Sequence, residues 1–194
     1  MKVWMGAFDH IVLLLSFVFA LALTHLLSRV GALLLARKRV RFSGLQALVI
    51  VNAVAQVYLN WLTLWADRGV RSWDLLDITL LFAFSLANYF VCAAAAPEGE
   101  PEGQIDMRAF YWENRRLFYG LVALLMITAI AGNLTYFKTG DPGLFWSETW
   151  TTLPFFAPCA LAFFVSARWA QWVSGLTLLA MSVAWAIAFS GALR

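Results

Sequence analysis

Three side-chain amides interrupt one apolar stretch, VNAVAQVYLN, at every fourth residue: Asn52, Gln56 and Asn60. On an α-helix this spacing places all three close to one face. Polar groups inside a membrane are costly, and they therefore mark candidate functional positions. Two chemistries fit the stripe. The amides either bond to a neighbouring helix and fix its register, or they form one wall of a hydrated path.

Further polar residues fall at two depths, if each residue of an apolar segment advances about 1.5 Å along a helix. His25 and Asn88 share the inner depth with Asn52. An outer polar cluster lies near the opposite surface, beside Asn60, and consists of Asp9, His10, Asp77 and Asn133. We therefore predict that the first and third apolar helices flank the amide face of the second.

Histidine and cysteine are the candidate cofactor ligands. His25 is interpreted as a neutral, hydrogen-bonded core residue, and the alternatives are a proton-sensitive switch or a haem or metal ligand. His10 lies about 22 Å from it along a helix, which is too far for both to bind one metal. Cys92 and Cys159 lie inside apolar runs without CxxC or Cys/His spacing. The sequence predicts no metal site and no cofactor.

Catalytic signatures are missing from the sequence. It has no H-E-x-x-H, G-x-S-x-G, P-loop or G-x-G-x-x-G motif. Asp9, His10 and Asp77 are acid/base groups, but no nucleophile is evident beside them. Proton pumping is not expected either, because it usually requires titratable carboxylates deep in the membrane. We predict that the protein is not an enzyme.

Composition sets the class of the protein that must position these residues. Of 194 residues, 62% are hydrophobic and 13% are charged, and the mean hydropathy is +0.76. Soluble domains are about 45–50% apolar and about 25% charged. The surplus apolar surface must face lipid, since a core of this size cannot hide it. The net charge of +3 does not indicate nucleic acid, because the basic residues cluster at helix ends, as membrane proteins require.

We predict an all-α integral membrane protein, a single domain over residues 1–194, built as one bundle of six transmembrane helices with short loops. The predicted helices span about residues 8–35, 44–65, 73–96, 115–136, 149–167 and 169–191. Lys2 and the following apolar run resemble a signal peptide. Asp9 and His10 interrupt that run, however, and the apolar pattern continues to Leu35, so we expect a retained first helix. Pro158 is expected to kink the fifth helix.

Basic residues suggest the orientation and the contacts of the bundle. One end collects Arg29, Arg37, Lys38, Arg39, Arg41, Arg108, Arg115, Arg116 and Arg168; the other holds Lys2, Arg68, Arg71, Lys138 and Arg194. The first group is expected to be cytoplasmic, with both termini outside a bacterial inner membrane. Contacts with anionic lipid headgroups, or with a protein partner, are assigned to Arg37, Lys38, Arg39, Arg41, Arg115 and Arg116.

These observations favour a small membrane protein that acts by association, as an accessory or assembly component of a membrane complex or as a homo-oligomer. That hypothesis is based on the short loops, the missing catalytic motifs and the lack of a carboxylate deep in a helix. The first alternative is a small channel or transporter that uses the polar face of helices one to three. The second is a membrane redox protein that binds haem or quinone at His25.

Overall fold

The structure is a computed structural model, and it describes residues 7–65, 73–98, 103–138 and 142–190. Lys2, Arg68, Arg71 and Arg194, which entered the orientation prediction, lie outside the described residues, as does the side chain of Lys138. The elements run in chain order as α1 (Ala7–Leu35), β1 (Val40–Arg41), α2 (Gly44–Thr63), α3 (Leu75–Ala94), β2 (Ile105–Asp106), α4 (Met107–Gly132), α5 (Thr135–Lys138), α6 (Pro142–Thr152), a 3₁₀ turn (Leu153–Phe155), α7 (Phe156–Phe164) and α8 (Arg168–Ser190).

Within this described part, five helices are long and apolar enough to cross a membrane: α1, α2, α3, α4 and α8. The bounds of α1, α2, α3 and α8 agree with the predicted ones to within two residues. Agreement is close because an apolar run in lipid must satisfy its own backbone hydrogen bonds, which a helix does. The all-α membrane class is therefore supported.

The fifth predicted helix, residues 149–167, is not one continuous helix. It is divided among the end of α6, the 3₁₀ turn and α7. The interruption falls at Pro154 in the 3₁₀ turn, whereas Pro158 lies in the first turn of α7, where a missing N–H costs little. The predicted kink at Pro158 is thus wrong. At nine residues, α7 is about 13 Å long, less than half of the hydrocarbon core of about 30 Å.

Helix α4 begins at Met107, well before its predicted start at residue 115. Its first turn is capped by Asp106, whose Oδ1 accepts the backbone N–H groups of Arg108 (2.8 Å) and Ala109 (3.0 Å). The hydrogen bond from Ala109, with help from Arg41, lowers the pKa of the Asp106 carboxyl. The sequence around Glu113 is polar, so its hydropathy did not predict a helix there. Capping by Asp106 satisfies the first backbone N–H groups of α4 and thereby stabilises this earlier helix start.

Two loops meet at the end of the bundle where α1 and α3 finish, which we call the basic end. There β1 and β2 pair in parallel, Val40 with Ile105 and Arg41 with Asp106. The Nη1 atom of Arg41 donates to Oδ2 of Asp106 at 3.0 Å. The pairing joins the α1–α2 connection to the α3–α4 connection, a link that the sequence did not predict.

The helices pack in an order that differs from the chain order. Helix α1 packs mainly on α3, α3 on α4, α4 on α7, α7 on α8, and α8 on α2. Helix α2 therefore has its most extensive contact with α8, and smaller contacts with α1, α3 and α4. The fully buried residues Leu26, Ala53, Val91, Val122 and Leu178 show that each long helix contributes to one core.

Candidate functional site

The amide stripe of α2 faces α8. Nδ2 of Asn52 donates to the carbonyl oxygen of Gly175 (3.0 Å) and to that of Leu48 (2.9 Å). Nε2 of Gln56 donates to Oγ of Ser182 at 3.2 Å. Both amides are buried. The prediction that the first and third helices flank this face is wrong, because the neighbour across the stripe is a helix more than 100 residues later in the chain.

The inner polar residues do not form one cluster. The ring of His25 packs against Tyr89, with centroids 5.8 Å apart. Nε2 of His25 has no hydrogen-bond partner among the described residues, and neither do Nδ2 and Oδ1 of Asn88. No hydrogen bond in the described part of the chain joins His25, Asn88 and Asn52. A shared polar level across α1, α2 and α3 is therefore not observed.

Asn88 gives a direct stability prediction. Its side chain is fully buried, and neither polar atom has a partner within the described ranges; a buried amide without partners is unfavourable. We expect Asn88→Leu to raise the free energy of unfolding by about 1 kcal/mol, measured by denaturant titration in mixed micelles. The matched variant Gln56→Leu, which loses the bond to Ser182, should lower it by about 0.6 kcal/mol. A loss of stability in Asn88→Leu would show that Asn88 has a partner.

Two further buried amides, Gln46 and Gln171, are not among the predicted polar residues. Nε2 of Gln46 donates to the carbonyl oxygen of Ala95 at 2.5 Å, which joins α2 to the end of α3. Gln171 accepts a hydrogen bond from Oη of Tyr111 (2.6 Å) and donates to the carbonyls of Ala162 and Val165. Each lies near the start of an apolar helix. The criterion that selected Asn52, a polar side chain within an apolar segment, would have selected them as well.

Two arginines donate hydrogen bonds to carbonyl groups at the C-terminal ends of neighbouring helices. Arg29 on α1 donates to the carbonyls of Ala93 and Ala96, both at 2.8 Å, and pairs with Glu98 at 2.6 Å. It therefore satisfies carbonyl groups at the end of α3, which have no partner within the helix. The position near the end of α1 is the predicted one, but the role is a helix cap.

Arg115 performs the same task for α7. Its Nη1 donates to the carbonyls of Ala162 (2.5 Å) and Phe163 (3.1 Å), and its Nη2 donates to Oγ of Ser166 (2.8 Å). Only 6% of Arg115 is exposed. The predicted contact of Arg115 with lipid headgroups or a partner is therefore wrong, because the guanidinium is buried inside the bundle.

The other predicted contact residues lie on the surface of the basic end. Arg37, Lys38, Arg39 and Arg41 are exposed, and Arg41 is held by Asp106. Nη1 of Arg39 donates to the carbonyl of Gly103 at 3.5 Å, so both paired loops contribute to its surroundings. Arg116 is also exposed, and its guanidinium lies 6.0 Å from the centre of the Phe163 ring.

The outer polar residues are only partly brought together. Asp77 is buried, forms a capping box with Asp74 at the start of α3, and accepts a hydrogen bond from Oγ1 of Thr135 at 3.0 Å. Asn133 is the C-cap residue of α4. Asp9 and His10 lie exposed in the first turn of α1. The capping role of Asp77 explains why an acid is tolerated at a buried helix start.

A cavity of about 130 Å³ opens at the opposite end from the basic end, among α2, α3, α4, α6 and α8. Its polar lining comes from Gln56, Asn60, Thr63, Thr128, Asn133, Thr135, Glu148, Thr151 and Thr152. The amide stripe therefore runs from the α8 contact at Asn52 to the cavity wall at Asn60. This cavity is the candidate functional site.

Its chemistry combines one carboxyl group, unpaired donors and aromatic rings. Glu148 on α6 is half-buried, and this burial raises the pKa of its carboxyl. Asn60 and Trp73 line the cavity, and their Nδ2 and Nε1 atoms are buried without partners among the described residues. Trp185 and Phe189 stack at 4.7 Å with an angle of 13° between their planes. Asn60 and Asn133 are among the predicted polar residues, whereas Glu148 is not, because it lies outside the predicted helices.

Comparison with protein-family models, curated proteins and solved structures gives no match. Among the described residues, no group of three His, Cys, Asp or Glu side chains is placed to hold a metal ion. Cys92 and Cys159 are buried free thiols. The cavity and the basic end are therefore the features that can indicate a function.

The raised pKa of Glu148 predicts a pH-dependent stability. A carboxyl whose pKa is higher in the folded state than the ordinary value of about 4.3 binds its proton more tightly when folded. Its stabilising contribution is complete below that value and is lost as the pH rises through the folded-state pKa. We expect Glu148→Gln to unfold at a higher temperature than wild type at pH 8 and not at pH 4, in thermal melts. An equal difference at both pH values would contradict this.

Proposed function

We propose that the protein is a multi-pass membrane protein that acts without catalysis, by association, as an accessory or assembly component of a membrane complex. The observation that carries this proposal is the ordered basic end. A loop that only anchors a bundle in lipid needs positive charge, but it does not need the β1–β2 pairing that fixes Arg39 and Arg41 against the α3–α4 connection.

The polar side chains inside the bundle support the same proposal. Five of them form hydrogen bonds to neighbouring helices: Asn52, Gln56, Gln46, Gln171 and Arg115. Each bond fixes the register of two helices more than it adds stability. Helices held in one register keep the loops at each end of the bundle in one arrangement. A protein that binds a partner through these loops requires such a fixed arrangement.

The orientation and the number of crossings complete the proposal. The basic end faces the cytoplasm of a bacterial cell, following the excess of Lys and Arg, and both termini lie on the other side of the inner membrane. The sixth crossing is the predicted segment 149–167, made by the end of α6, the 3₁₀ turn and α7 together. Arg115 supports this, since it ties the end of α7 to α4 eight residues after Met107, where α4 begins.

Native electrophoresis after gentle extraction from the cell's own membranes tests the association. The test variant replaces Arg37, Lys38 and Arg39 by Gln, and the matched control is Glu113→Gln, which changes an exposed charge on α4. Wild type and control should migrate as one larger species, and the triple variant as a smaller one. A lone monomer in all three samples would overturn the proposal. Anionic vesicles added to the purified protein show whether lipid alone accounts for the contact.

A second candidate function is solute movement, and the cavity that contains Gln56 and Asn60 favours it. The bond from Asn52 to Gly175 occupies the stripe beyond the cavity, so a path would have to break that contact. Flux of small polar solutes into liposomes tests this candidate, with Asn52→Leu and Gln56→Leu as the variants. Flux equal to that of empty liposomes would remove it.

A further inference from the structure

We propose that the cavity is a binding site for a small organic ammonium ion, about one ring in size and bearing an acceptor oxygen, whose positive group lies against the carboxylate of Glu148. This site is independent of the association proposed above, because the cavity and the basic end lie at opposite ends of the bundle.

The size of the cavity limits the ligand. Its volume of about 130 Å³ is close to that of cavities of about 150 Å³ that hold a benzene-sized molecule. The same volume would hold roughly ten water molecules if each needs about 10–15 Å³. A single ring therefore fills the cavity, and a short polar chain on it would reach into the cavity opening, whereas a haem or a lipid headgroup with its chains does not fit.

The charge of the lining selects a cation. Glu148 is the acid among the described lining residues, and no Lys, Arg or His whose side chain the structure describes lines the cavity. The ion pairs found in those ranges, Arg29 with Glu98 and Arg41 with Asp106, lie at the basic end. A half-buried carboxylate without a cation is unfavourable, and a bound ammonium group would offset that cost.

Aromatic rings and unpaired donors define the rest of the ligand. Trp73, Tyr136 and Trp185 line the cavity together with the Phe189 ring that stacks on Trp185. Their faces attract a cation and cover an apolar ring. Asn60 and Trp73 line the cavity, and their Nδ2 and Nε1 atoms are buried donors without a partner in the part of the chain that the structure describes. Each would donate to a hydroxyl or carbonyl oxygen of the ligand once its side chain turned toward the cavity.

Calorimetric titration of the full-length protein in nanodiscs tests the proposal, with empty nanodiscs subtracted. The probe is 2-amino-1-phenylethanol, and the comparison compound 1-phenylethanol keeps the ring and the hydroxyl but lacks the ammonium group. We expect the amine to bind at least about tenfold more tightly than the alcohol at neutral pH. Glu148→Gln should abolish that difference, and Asn60→Leu should weaken both compounds.

Controls separate a lost site from a lost fold. Glu113→Gln alters an exposed acid at the other end of α4 and should bind like wild type. If Glu148→Gln does not elute as a single species, Glu148→Asp is used, which keeps the charge but shortens the side chain and should weaken the amine selectively. Equal binding of amine and alcohol by wild type, or amine binding that Glu148→Gln leaves unchanged, would overturn the proposal.

Discussion

Replacing Arg115 by Met is expected to lower the free energy of unfolding by about 2–4 kcal/mol. The guanidinium supplies hydrogen bonds to Ala162, Phe163 and Ser166, which lie where α7 ends. Without it, the carbonyl of Phe163 loses this partner inside the bundle. The carbonyl of Ala162 keeps the bond from Gln171 at 3.1 Å, so the loss is smaller than that of three independent bonds.

The neighbouring arginine provides the matched control for this measurement. Arg116 has the same charge and the same helix, but its side chain is exposed, so Arg116→Met should change stability by no more than about 0.5 kcal/mol. Both variants are compared by denaturant titration in mixed micelles. Arg115→Lys should fall between wild type and Arg115→Met, because an ammonium group keeps the charge but cannot reach the acceptors as a planar fork. Equal losses from Arg115→Met and Arg116→Met would show that the buried contacts do not stabilise α7.

Replacing Gly175 by Val is expected to lower the free energy of unfolding by about 2–3 kcal/mol. A Cβ atom at Gly175 would lie 2.5 Å from Cδ2 and 3.0 Å from Cγ of Leu48. The added atoms would push α8 away from α2 and lengthen the bond that Asn52 makes to the Gly175 carbonyl. Gly175→Ala should cost less, since the end of the Leu48 side chain can move.

Gly31 on α1 is the control for this effect, because a Cβ atom there would meet nothing within 4 Å. Gly31→Val should leave stability within about 0.5 kcal/mol of wild type in the same titration. The Gly175→Val variant should also shift the intrinsic fluorescence, because Trp185 lies on α8 at the cavity wall. The close approach of α2 and α8 would be refuted if both glycine variants were equally stable.

The contact between α2 and α8 connects these stability effects to the two proposed functions. It fixes the amide stripe so that Asn52 and Gln56 bond to α8 while Asn60 reaches the cavity. A shift of α8 would therefore move Trp185 and Asn60 relative to each other. The scaffold that presents the basic end thus also sets the dimensions of the cavity, although each proposal has its own test.

The break in the fifth predicted helix shows that a hydropathy pattern does not predict an interruption within an apolar run. Hydropathy treats residues 149–167 as one apolar run, but Pro154 cannot donate a backbone hydrogen bond and the chain forms a 3₁₀ turn there. The early start of α4 is the opposite case. A polar stretch becomes helical because Asp106 caps it and Arg115 finds acceptors on α7, and a hydropathy pattern records neither contact.

The membrane class, the positions of α1, α2, α3 and α8, and the polar face of α2 could be predicted from the sequence alone. These properties depend on composition and on periodicity within a single helix, which residues close in the chain specify. The packing of the helices was needed to show that the amide face meets α8, that Arg115 is buried and that Glu148 and Asn60 line one cavity. Gln56 and Ser182 are 126 residues apart in the chain. Such a pairing depends on how whole helices pack, because each polar face could bond to any helix that brings a partner to its level.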